Sequence, residues 1–330
     1  MKTYSYKDKP LRIFGVVDFD KTGKLLRTPE YLRRELPSLN FLGERCPGAR
    51  LCFRTNAEKI TLHIDFETFY FDVGMSIFSA HSAFVYVGER PVSRFAGIVH
   101  PSNYEEKSFS GSFSKSCEME DVTIYLPRNE IIADIRIDID DEATIEAPTP
   151  YRDVKPIVYY GSSITEGGCS SNHSNAYNAI LSRWLNVDYY NLGFSGNAKG
   201  ELPMADFING IDMSVFVYDY DYNAPDVDHL KNTHEPFFKR IREAHPALPV
   251  IMMSRPKARY NEDDKARREV IRATYDNAVA EGDTLVRFID GETLFGHEDS
   301  ELCSVDGVHP NDLGFYRMAK TIRPVLEELL

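Results

Sequence analysis

Between about Gly48 and Ile145 the chain runs in short stretches in which apolar and polar residues alternate. The clearest are 50–55, 59–65, 83–87, 122–126 and 135–139, rich in aromatic and β-branched residues and separated by turn formers. Strict alternation turns one side of a strand inward and the other outward, the mark of antiparallel sheets packed face to face. The pattern predicts an N-terminal β-sandwich of jelly-roll type over residues 1–150.

After Thr149-Pro150 the rhythm changes. Short apolar runs at 157–160, 187–192, 214–218, 250–253 and 286–289 alternate with helical patterns near 176–185, 201–210, 228–244, 263–281 and 312–329. That order predicts an α/β unit over residues 151–330, with a parallel sheet covered by helices on both faces. Ligand sites in such sheets lie at the carboxyl ends of the strands, where Ser163, Gly196, Asn223 and Arg255 are expected to meet. The junction at 146–151 is short and contains two prolines, which favours a fixed pose of the two units.

At 330 residues and 42% hydrophobic content the chain has ample material for packed cores. Its 51 acidic against 38 basic residues give a net charge of −13, which argues against a nucleic-acid partner. The polar start of the chain and the lack of a long apolar run argue against a membrane anchor. Five scattered cysteines without metal-ligand spacing read as reduced thiols in a cytoplasmic protein, with no metal and no cofactor expected.

Three segments of the second half carry chemistry: Gly161-Ser162-Ser163-Ile164-Thr165, Asn191-Leu192-Gly193-Phe194-Ser195-Gly196-Asn197 and Asp306-Gly307-Val308-His309-Pro310. Ser163 alone reads as a turn former, His309 as a loop residue and Asp306 as a helix or turn cap. Together they supply a hydroxyl at a strand end, backbone donors, and a carboxylate three residues before an imidazole, which are the parts of an acyl-transfer site. Gly193-Phe-Ser-Gly-Asn197 lacks the last glycine of a Gly-x-Ser-x-Gly elbow, and His234-Glu235 lacks the second histidine of a zinc-protease helix. Asp219-x-Asp221-x-Asn223 starts like a calcium loop but has Ala224 and Leu230 where glycine and glutamate belong. Glu166 reads equally as a group approaching Ser163 or as an exposed acidic helix start, Arg255 as a surface ion-pairing residue before a substrate contact, and Trp184 as core.

In order and context these segments resemble the SGNH or GDSL-type esterases and acylhydrolases, over about residues 154–329, and in particular a subgroup with an N-terminal β-sandwich and a Gly-Ser-Ser-Ile-Thr first block. The resemblance implies a flavodoxin-like three-layer catalytic domain. It makes Ser163 the nucleophile, His309 and Asp306 its partners, and Ser163, Gly196 and Asn223 the oxyanion donors. Two departures stand out: Ser162 replaces the usual aspartate, and Asp221-Tyr-Asn-Ala224 replaces Gly-x-Asn-Asp. The implied activity is hydrolysis of short acyl esters, acetyl above all, of a small-molecule or oligosaccharide substrate. An acyltransferase and a non-catalytic carbohydrate-binding protein are the rivals, and a homo-oligomer is left open.

Overall fold

The computed structural model describes residues 1–330. Its first half builds two antiparallel sheets from β1 (Lys2–Ser5), β2 (Arg12–Phe14), β3 (Arg50–Thr55), β4 (Lys59–Phe66), β5 (Ala83–Val87), β6 (Arg94–Val99), β7 (Ser108–Ser114), β8 (Glu120–Tyr125), β9 (Ile132–Ile139) and β10 (Ile145–Glu146). One sheet has the order β1-β9-β4-β7, the other β10-β3-β8-β5-β6, with β2 added on β3. Leu62, Ile64, Ile135 and Ile137 of the first sheet share a core with Phe53, Val85, Val122 and Ile124 of the second. The expected sandwich is therefore present.

The second sheet is buried on its other face as well. Phe84 of β5 and Tyr125 of β8 point away from the sandwich into a core shared with Ile157, Tyr159, Ile180 and Leu181 of the second half. Ala83-Phe-Val-Tyr-Val87, expected from the sequence to have one face in and one face out, instead has both sets of side chains against protein. Three short helices missed in the sequence, α1 (Phe19–Thr22), α2 (Glu30–Glu35) and α3 (Asn40–Glu44), precede β3, and α4 (Ile77–His81) leads into β5. Leu32 and Leu39 pack with Val158, Phe194 and Met204 of the second half.

The second half alternates β11 (Ile157–Gly161), α5 (Ser163–Glu166), α6 (Tyr177–Leu185), β12 (Tyr189–Gly193), α7 (Leu202–Asn209), β13 (Val215–Asp219), α8 (Val227–Ala244), β14 (Val250–Met253), α9 (Glu262–Ala280), β15 (Val286–Ile289) and α10 (Asp312–Leu329). The strands are parallel in the order β12-β11-β13-β14-β15, the doubly wound arrangement expected from the sequence. Sheet order reverses at β11, between β12 and β13. A crevice at the carboxyl end of β11 follows from that topology.

Candidate active site

β11 is wholly buried and ends at Gly161. A Cβ there would collide with the Asp219 carbonyl oxygen, so only glycine lets the chain turn this tightly against β13. Ser162 then caps α5, its hydroxyl accepting the Ile164 N–H at 3.2 Å. Serine and aspartate are equivalent N-caps, so the departure from the usual first block preserves the local turn. Ser163 follows with 9% of its surface exposed, and its N–H heads α5, where no intrahelical acceptor exists.

Ser163 Oγ lies 2.9 Å from His309 Nε2, and His309 Nδ1 lies 2.7 Å from Asp306 Oδ2. The second Asp306 oxygen accepts the backbone N–H groups of Val308 and His309 at 2.9 and 2.7 Å. Burial works against the Asp306 charge, but the ring and backbone donors outweigh it and hold the carboxyl below its ordinary range. The loop is closed by a bridge between Ser304 and Pro310. An ionised Asp306 fixes the Nδ1–H tautomer, which leaves Nε2 free to accept the Ser163 proton.

Gly196 and Asn223 stand on neighbouring loops. Gly196 has φ +71, and nothing lies within 4 Å of where a Cβ would sit, so its glycine serves the backbone conformation and not close packing. Asn223 Oδ1 accepts the Ala198 N–H at 3.2 Å, which commits the oxygen end of the amide and leaves the NH₂ end as a donor. Asp221 holds this third loop by accepting the Arg255 N–H at 3.0 Å and the Arg255 guanidinium at 2.8 Å. Arg255 is thus a buried ion-pairing residue, shared with Asp264 at 3.0 Å, and not a surface one.

Glu166 is not an exposed helix start. It is buried, ion-paired to Arg45 at 2.7 Å, and its other oxygen accepts the Ser195 N–H at 2.9 Å. Burial alone would raise its pKa; Arg45, Arg27, Arg128 and the Ser195 N–H reverse the sign and lower it. Arg27 donates to the Gly193 carbonyl oxygen and lies over the Phe194 ring at 4.6 Å. Two arginines of the first half therefore brace the segment that carries Gly196. No sequence signal pairs Arg45 with a glutamate 121 positions away. Trp184 is half-buried, edge-on to Tyr316 at 5.7 Å, and so lies at the margin of the core.

Around Thr165, two residues after Ser163, lies a buried polar knot. Asp219 accepts hydroxyl hydrogens from Thr165 at 2.8 Å and Tyr177 at 3.2 Å. Burial raises its pKa to about 7 despite those two donors.

The sequence of the second half matches the model of the GDSL-like lipase/acylhydrolase family over residues 154–327. The chain belongs to that family. It is a carboxylic ester hydrolase by descent, and solved structures extend the likeness to the whole chain. A protein described as a GDSL-like lipase from Bacteroides ovatus is similar over 99% of this chain and 97% of its own, with 25% identity and a TM-score of 0.89. The salicylyl-acyltransferase SsfX3 of a tetracycline biosynthetic pathway aligns over 99% and 97%, with 20% identity and a TM-score of 0.79. A family two carbohydrate esterase from Clostridium thermocellum, solved with cellohexaose, aligns over 86% and 92% at 15% identity and a TM-score of 0.63. The last two likenesses are of fold. No curated protein sequence matches the chain.

Proposed function

We propose that this GDSL-like hydrolase is a serine esterase that removes short acyl groups, acetyl foremost, from a hydroxylated substrate such as a sugar or oligosaccharide. In this reading residues 1–150 and 151–330 form a sandwich domain and a catalytic domain. Ser163 attacks the ester carbonyl while His309 Nε2 takes its proton, and Asp306 stabilises the imidazolium that forms. His309 returns the proton to the departing alcohol, then activates water to release the acyl group from Ser163. The tetrahedral oxyanion is held by the N–H groups of Ser163 and Gly196 and by the Asn223 amide, each worth about 10²- to 10³-fold in rate.

The observation that carries this reading is the continuous Ser163–His309–Asp306 hydrogen-bond chain at the end of β11; the Asn223 amide, on the loop after the neighbouring strand β13, has its oxygen already engaged. The sugar preference draws on the carbohydrate esterase neighbour. A panel of nitrophenyl esters of increasing chain length beside acetylated sugars tests it, with Ser163→Ala expected to lose about 10⁴-fold or more of kcat. A serine-directed phosphonate should label Ser163. Labelling at Ser162 or Ser195, or full activity of Ser163→Ala, would overturn the assignment. The acyltransferase neighbour motivates a second reading in which another alcohol accepts the acyl group; product analysis with added alcohol separates the two.

A further inference from the structure

Beside the proposed oxyanion loop lies a cavity of about 530 Å³, the size of a small-ligand site. Ser195 and Asn197, which flank Gly196, form one wall. Glu166 adds to it, and the rest comes from the first half, including Tyr70, Phe71 and Asp72 on the loop between β4 and α4, and Arg128 after β8.

The charges around this cavity do not balance. Arg27, Arg45 and Arg128 are all buried; the buried carboxylates near them are Glu166 and Glu130, and Glu130 is taken up by His81 at 2.7 Å and the Tyr70 N–H at 2.9 Å. Glu166 is fully engaged by Arg45 and the Ser195 N–H. Arg27 spends its donors on the carbonyl oxygens of Arg45, Leu42 and Gly193. Neighbouring thiols add no negative charge, because burial pushes the Cys46 thiol up to about 12.

Arg128 is the group left over. It is 3% exposed, its Nε has no hydrogen-bond partner, and one Nη contacts the Met75 sulfur. Asp72, its nearest carboxylate, stands 3.7 Å away with 36% of its side chain exposed, beyond hydrogen-bond range. A side chain at Gly168 would begin 3.4 Å from Arg128 Nη1 and 3.6 Å from Ser163 Cβ. The guanidinium of Arg128 therefore lies within about 7 Å of Ser163 Cβ.

A buried guanidinium without a full counter-charge is costly unless a ligand supplies the missing anion. Resting on the esterase reading above, we propose that Arg128 forms an anion subsite, and that the preferred substrate is an ester bearing a carboxylate close to the scissile bond. The half-exposed rings of Tyr70 and Phe71 offer a flat wall for the body of such a substrate.

The test compares matched pairs of esters on the full chain. On the acyl side, the 4-nitrophenyl half-ester of glutaric acid is set against 4-nitrophenyl valerate; on the alcohol side, an acetylated methyl glucuronoside against the acetylated methyl glucoside. In at least one pair the anionic member should have the higher kcat/KM by about tenfold to a hundredfold, the range of a charge-assisted hydrogen bond. Arg128→Gln should bring that ratio close to one, and Arg128→Lys should keep part of it. The pair that responds tells which side of the ester carries the anion. No preference in wild type, or a preference that survives Arg128→Gln, overturns the proposal while leaving the esterase reading intact. If no ester is cleaved, the esterase reading fails; calorimetric titration of wild type with glutarate and glucuronate then decides the subsite. Binding that Arg128→Lys weakens supports it, and no binding of either overturns it. Should Arg128→Gln fail to fold, the wild-type ratios and the Lys variant still give the answer.

Discussion

Arg45 reaches from the first half of the chain to Glu166 and through it to the Ser195 N–H, one residue before Gly196. Replacing Arg45 with Met keeps the bulk of the stem and removes the charge. The pair is 2.7 Å apart, with side chains 3% and 1% exposed, so the variant leaves a buried carboxylate short of its main partner. Loss of one member of such a pair costs about 3–5 kcal/mol. Arg27 and Arg128 still act on Glu166 from a distance, which puts the expectation at the lower end, about 3 kcal/mol, and several degrees of Tm. The catalytic consequence is separate: a Glu166 that turns away or takes up a proton loosens Ser195, and the Gly196 N–H moves with it. With one oxyanion donor worth about 10²- to 10³-fold, partial misplacement should lower kcat for nitrophenyl acetate by about tenfold or more, with KM changed less. Assays are run well below the Tm, with phosphonate titration of the folded sites. Arg45→Met/Glu166→Leu should recover much of the stability, because an apolar pair is tolerated where a lone charge is not, yet it should not recover kcat. Wild-type kcat per titrated site in Arg45→Met would refute the claim that this pair aims the loop.

Asp306→Asn should lower kcat by about 10²- to 10⁴-fold with KM nearly unchanged, because the amide no longer fixes the Nδ1–H tautomer of His309; wild-type kcat would make the site a Ser–His dyad. Asp219 gives a stability signature. Its folded pKa of about 7 lies above its ordinary 3.8, so the folded state binds the proton more tightly, and its contribution to stability falls as pH rises from about 4 through 7, by up to about 4 kcal/mol. Asp219→Asn should therefore flatten the fall of Tm across that window, and an unchanged slope would show that the carboxyl is ionised throughout. Residues 151–330 expressed alone should be poorly soluble, since Leu32, Leu39, Phe84 and Tyr125 cover apolar faces of that unit; a soluble fragment with wild-type kinetics on nitrophenyl and sugar esters would contradict this.

Strands built from branched and aromatic residues were legible because their periodicity is their burial. β7 is not among the strands expected: Ser108-Phe-Ser-Gly-Ser-Phe-Ser114 has only two large apolar residues, Phe109 and Phe113, which face the sandwich core, and Gly111 lets Val99 approach to 3.0 Å of where a Cβ would sit. The helices between Phe19 and Glu44 are too short for a periodicity of their own, and tertiary packing holds them. The residues of the candidate site were legible because each sits in a local turn with its own signature. The settings of Glu166 and Arg255 were not legible, for the opposite reason: whether a charged side chain is buried depends on partners from distant segments. Glu166 could be an exposed helix start or a neighbour of Ser163 by sequence alone, and its burial follows from Arg45, which the fold brings to it.

The placement of those distant partners has a common logic. β12 is an edge strand of the parallel sheet, and an uncovered edge invites pairing with foreign strands. Arginines of the first half converge on it: Arg90 donates to the Asn186 side chain at 3.0 Å, Arg50 pairs with Asp188 and stacks over Tyr189 at 4.3 Å, and Arg27 takes the Gly193 carbonyl oxygen. Arg45 continues the line through Glu166 to Ser195. The same strand that needs cover leads straight into Gly196, the proposed donor from this side of the crevice. Arg27 at the end of β12 and Arg45 through Glu166 therefore tie the first half to the segment that carries the proposed donor. That is why the sandwich is joined to the α/β unit through polar, directional contacts near the site as well as through the apolar face of its second sheet.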